Sequence, residues 1–95
     1  MTITLSLPYD LSGEQWAAVD RVFQSMDGWL GRKQIDNTPQ WYGDESDERF
    51  VWASVEPGGL LLEGELEPKV WTGWISVLCA RLSLALQMEV RDVEM

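Results

Sequence analysis

At 95 residues the chain is long enough for one domain with an ordinary core and too short for two, and 45% hydrophobic residues make it too apolar for disorder. Sixteen acidic residues against seven basic ones give a net charge of -9, which excludes the basic footprint that nucleic acid needs and disfavours an anionic membrane surface. There is no histidine, so the commonest general base and metal ligand is missing, and the charge points instead to encounter with a basic partner.

At the amino end Thr2, Thr4 and Ser6 alternate with Ile3, Leu5 and Leu7, a period-two strand with one buried face, ended by Pro8. The same stretch has no basic region and no long apolar run, so no signal peptide is expected. Together with a single cysteine, Cys79, which has no intramolecular disulfide partner, this points to the cytoplasm.

A helix start follows. Ser12 can cap it, Gln15 can reach back to complete a capping box, and Leu11 can pack on Trp16 as a staple. Trp16, Val19, Val22, Phe23 and Met26 then line one face, which Leu30 could extend, and Gly28 supplies a stop. From Trp29 to Gln40 the period is broken by Gly31, Asp36, Asn37 and Pro39, so this stretch reads as loop, with Gly31-Arg32-Lys33 its basic patch.

Gln40-Trp41-Tyr42 suggests a short extra strand near 40–43, followed by the acidic run Asp44, Glu45, Asp47 and Glu48. Trp41-Tyr42-Gly43-Asp44 resembles, over four residues, the aromatic-tyrosine-glycine patch of barstar-type ribonuclease inhibitors. The surrounding pattern departs from that family, so no family is assigned. Arg49 to Glu56 is a strand with Phe50, Trp52 and Ser54 on one face and Val51, Ala53 and Val55 on the other. After the turn at Pro57-Gly58-Gly59, Leu60, Leu62 and Leu66 alternate with Leu61, Glu63, Glu65 and Glu67, a second strand whose outer face becomes a row of carboxylates.

Pro68 suits the first turn of a long helix through Leu86. Trp71, Trp74, Ile75, Leu78, Cys79, Leu82, Ala85 and Leu86 fill its core-facing sector, and Val70, Val77 and Leu84 extend one flank. Opposite lies a strip of mostly small residues: Thr72, Gly73, Ser76, Ala80, Ser83 and Gln87. Such a strip admits a second helix closely, either the chain's own, the commoner case, or that of a second copy. The apolar run is too short for a membrane span and contains Arg81. Met88 to Val93 reads as a last strand whose alternation slips at Asp92 and Val93.

The element order predicts an α+β two-layer sandwich over residues 1–95. Specifically, it predicts a ferredoxin-like β-α-β-β-α-β antiparallel sheet with both helices on one face and the first strand in its middle. The other face is then open and acidic.

No chemistry-bearing motif stands out. The glycines lack the lysine and hydroxyl spacing of a phosphate loop, and the acidic run lacks the alternating ligands, central glycine and twelfth-position glutamate of a calcium loop, so neither cofactor nor metal is expected. Six tryptophans are the least ordinary feature, and aromatic rings beside carboxylates suit recognition of lysine and arginine. The sequence therefore points to a non-enzymatic acidic binding domain of the immunity or inhibitor type, masking a basic toxin- or nuclease-like protein. The contact residues would be Trp41, Tyr42, Asp44, Glu45, Asp47, Glu48, Trp52, Glu63, Glu65 and Glu67. The alternatives are a homodimeric ligand-sensing or assembly module and, last, a carboxylate- or metal-dependent enzyme.

Overall fold

Two helices lie against one face of a five-stranded antiparallel sheet in the computed structural model, which describes residues 1–94. The elements are β1 (Thr2–Leu5), α1 (Gly13–Ser25), β2 (Trp29–Arg32), β3 (Pro39–Trp41), β4 (Phe50–Glu56), β5 (Gly59–Glu65) and α2 (Pro68–Leu86). The strands run in the order β1-β5-β4-β3-β2, so the sheet is a four-strand meander with β1 added beside β5.

Local signals place both helices. Ser12 caps α1 through a reciprocal box in which its hydroxyl accepts from the Gln15 amide at 3.2 Å and the Gln15 side chain accepts from the Ser12 amide at 2.9 Å. Val19, Val22, Phe23 and Met26 are buried, and the helix ends at Met26, two residues before Gly28. In α2, Pro68 occupies the first turn, where its missing N–H costs nothing, and Gln87 closes the helix in a left-handed conformation. Trp74, Ile75, Leu78, Leu82 and Leu86 are buried, Trp71 and Cys79 half-buried, and Ala85 exposed. No helix among the described residues is long and apolar enough to cross a membrane.

Alternation sorts the strands in the same way. Leu5, Trp41, Val51, Ala53, Leu60 and Leu62 are buried with the helix residues in one cluster. Thr2, Thr4, Gln40, Trp52, Ser54, Leu61, Glu63 and Glu65 are half-buried or exposed, and no helix covers them.

The sheet is antiparallel as expected but departs from the ferredoxin-like arrangement in strand count and order. β1 does not lie between two central strands but ends the five-stranded sheet, and its partner β5 runs antiparallel to it. The expected last strand is reduced to one bridge, Leu5 to Asp92, with backbone bonds from Ser6 to the Arg91 carbonyl and from Val93 to the Thr4 carbonyl. The slip in alternation at Asp92 and Val93 is the local reason.

The stretch expected to be loop contains β2. Gly31, at φ +104°, makes a bulge that shifts the register between Trp29 and Gly31, hiding the period of two. Pro39 is tolerated as the first residue of β3, and β3 itself matches the short strand expected near 40–43.

The small-residue strip of α2 does not receive α1. Thr72, Gly73, Ser76 and Ala80 are exposed, and a Cβ built on Gly73 would meet nothing within 4 Å. α1 meets α2 at another edge: the Trp74 indole donates to the Asp27 carbonyl at 3.0 Å, and Arg81 donates to the Ser25 carbonyl at 2.8 Å.

Candidate functional site

Strand register brings the uncovered residues into cross-strand rows. Thr2 lies opposite Glu63, Glu63 opposite Trp52, and Trp52 opposite Gln40. Beside this row, Thr4 faces Leu61 and Leu61 faces Ser54; on its other side Glu65 faces Phe50. Trp52 is thus flanked by a carboxylate on one neighbouring strand and an amide on the other, and its body rests on the sheet.

Trp52 is half-buried, and its indole N–H is shut off from solvent without an acceptor. A buried donor with no partner costs about 1–3 kcal/mol relative to one that is bonded. Past its far edge a hollow of about 240 Å³ is lined by Lys33, Asp36, Thr38, Glu45, Ser54 and Glu56 as well as Trp52. Lys33 and Glu45 form an ion pair across it at 3.7 Å.

Carboxylates dominate the face. Glu63 accepts from the Thr2 hydroxyl at 3.2 Å, and Glu56 accepts from the Ser54 hydroxyl at 3.2 Å. Glu65 stands 3.7 Å from the amino-terminal ammonium, which donates to the Gly64 carbonyl. In the hollow, hydrogen bonds from the Thr38 side chain and amide hold the Asp36 carboxyl below the ordinary range for an aspartate. These carboxylates and exposed apolar edges are suited to receiving a cationic side chain beside an aromatic face.

The expected contact residues divide. Glu45, Trp52, Glu63 and Glu65 belong to this face. Trp41 does not: it is fully buried, stacked edge-on against Phe23 and Trp74, with its indole N–H donating to the Phe23 carbonyl at 2.9 Å. It is therefore core rather than contact surface, because its neighbouring strands and both helices close over it.

Tyr42 sits on the helical side, in a groove it shares with Asp27, Val70, Trp74 and Arg81. Its hydroxyl donates to the Asp27 carboxylate at 2.9 Å, and burial together with that carboxylate pushes the phenol up to about 12. Arg49 lies 5.8 Å from the ring centroid. Asp44 and Asp47 are exposed but committed to their own turn, Asp47 accepting from the Asp44 amide at 2.7 Å and Asp44 from the Ser46 amide at 3.4 Å. Glu48 is exposed in the same loop. Glu67 has left the strand and stands at the cap of α2, without a side-chain bond to it.

Sequence reading missed Lys33 and Asp36 as neighbours of Trp52, since they come from a segment whose strand was hidden by the Gly31 bulge. Among the described residues, no group of three histidine, cysteine, aspartate or glutamate side chains is placed to hold a metal ion. No family model, no curated protein and no solved structure matches this chain.

Proposed function

We propose that the chain is a small, acidic, non-enzymatic protein-binding domain of the immunity or inhibitor type, which masks a basic surface of another protein with its uncovered sheet face. The observation that carries this reading is Trp52: a half-buried indole set beside Glu63 on a sheet face that no helix covers. A partner laying a lysine or arginine beside the exposed part of the Trp52 ring and against Glu63, Glu65 or Glu45 would be held by ring and carboxylate together. The net charge of -9 adds attraction at long range, which raises the encounter rate and weakens with salt.

The test is affinity capture from extract of the native cell with the unaltered chain, Trp52→Ala, and Glu63→Arg with Glu65→Arg, followed by a titration of the recovered protein. A basic protein should be retained by the native chain. Trp52→Ala should weaken it about 30-fold, the loss typical of a central interface tryptophan. The double charge reversal should both weaken it and flatten its salt dependence. Partners that bind all three forms equally would refute the reading.

A further inference from the structure

The helical side carries a second ordered surface. Val70, Val77 and Leu84 of α2 remain 40%, 42% and 80% exposed, and Gly73, Ala80 and Gln87 lie exposed between and beyond them. Their spacing alternates three and four residues over 70, 73, 77, 80, 84 and 87, which is the seam of a heptad repeat with larger apolar residues at one position and mostly small ones at the other. A lone amphipathic helix in contact with its own sheet needs no second seam.

We propose that this seam is where two copies of the chain pair, their α2 helices antiparallel about a twofold axis at Val77. Three observations select a second copy. The seam is self-complementary: read in either direction from Val77 it runs small residue, then larger apolar residue, so Val70 meets the partner's Leu84 and the partner's Val70 meets Leu84, as an isologous interface requires. Gly73 and Ala80 let the two backbones close in, and a Cβ on Gly73 has open space around it.

Charge is the third. α2 holds none of the sixteen acidic residues, so it is the surface on which two chains of net charge -9 repel least. Its two basic residues are placed without conflict. Arg81 donates to the Ser25 carbonyl at 2.8 Å and the Ser25 hydroxyl at 3.2 Å, at the carboxyl end of α1. Lys69 at the start of α2 comes, in an antiparallel pair, to the carboxyl end of the partner helix, whose last turn contains no basic residue of its own. A parallel pair would set Lys69 against Lys69 and align the two helix dipoles. α2 is about 28 Å long for its 19 residues, so the contact is a single helix pair. Pairing here leaves the two sheet faces free on the outside of the dimer.

Sedimentation equilibrium on the full chain from about 1 to about 200 µM should show a monomer–dimer equilibrium, and Val77→Asp and Leu84→Glu should each weaken it about 30-fold or more. Both positions are solvent-exposed in the single chain, so circular dichroism of the two variants should match the native spectrum; Leu84→Glu, the more exposed, stands if Val77→Asp misfolds. In a Cys79→Ala background, mild oxidation should cross-link Val77→Cys to itself and Val70→Cys to Leu84→Cys, with neither of the latter cross-linking alone. A monomer at every concentration, a dimer indifferent to Leu84→Glu because some other surface or another protein's helix is what binds, or self-cross-linking at position 70 would each overturn the proposal.

Discussion

Trp41 and Phe23 are joined twice: the indole N–H donates to the Phe23 carbonyl at 2.9 Å, and the rings meet edge-on at 89° with centroids 5.3 Å apart. One side chain of β3, next to the edge strand β2, thereby ties the sheet to the last turn of α1. Trp41→Ala is expected to cost about 3–5 kcal/mol through the cavity it leaves. Trp41→Phe should cost about 2 kcal/mol, through lost volume and the lost hydrogen bond. Urea unfolding followed by circular dichroism measures both.

Trp52, on the opposite face, should behave in the reverse way. Its buried N–H is unpartnered in the free chain, so Trp52→Phe removes an unsatisfied donor and is expected to change stability by less than about 1 kcal/mol in either direction. The same denaturant titration decides it, and a loss as large as that of Trp41→Phe would mean that the indole N–H is bonded after all.

The Tyr42 hydroxyl gives the protein a stability window at alkaline pH. Burial first, then the Asp27 carboxylate, raises its pKa from about 10 to about 12, so the folded state favours the neutral phenol more than the unfolded chain does. That contribution is complete below pH 10 and is lost as pH rises toward 12. In a Tyr9→Phe background, phenolate absorbance should appear near pH 12. Asp27→Ala should move it only part of the way down, because burial remains the larger cause.

Two glycines should answer alanine oppositely. Gly28 holds φ +86°, and a Cβ there would stand 2.8 Å from the Tyr42 ring, so Gly28→Ala combines left-handed strain with displacement of that ring and should cost about 2 kcal/mol or more. Gly73 lies within α2 with nothing within 4 Å of a built Cβ, so Gly73→Ala should stabilise by up to about 1 kcal/mol through helix propensity. Thermal unfolding should show Tm moving several degrees down and up respectively.

Cys79 is half-buried on α2, and burial, with a smaller effect from Asp92, pushes its thiol up. Alkylation by iodoacetamide at pH 8 should run several-fold slower than that of free cysteine. Asp92→Asn should accelerate it only slightly; a large acceleration would make charge, rather than burial, the main cause.

The elements legible from residues alone were those set by neighbours in the chain. Ser12 and Gln15 close their capping box within one turn, Pro68 opens α2, and the alternation in β4 and β5 assigns Val51, Ala53, Leu60 and Leu62 to the core and Trp52 and Glu63 to the other face. The charge and the missing histidine were equally plain. The bulge at Gly31 hid β2, because one inserted residue erases a period of two that depends on every position.

The sequence by itself determined which stretches are helix and which strand where apolar period and caps agree, and the sign of the charge the surface carries. Tertiary structure alone decided the strand order, the burial of Trp41, the exposure of the small-residue strip of α2, and the meeting of Glu63, Trp52 and Lys33 on one face. The physical reason is range. Caps and periodicity act over one or two turns, whereas the pairing of Thr2 with Glu63 joins residues 61 positions apart and is fixed by how every strand between them packs.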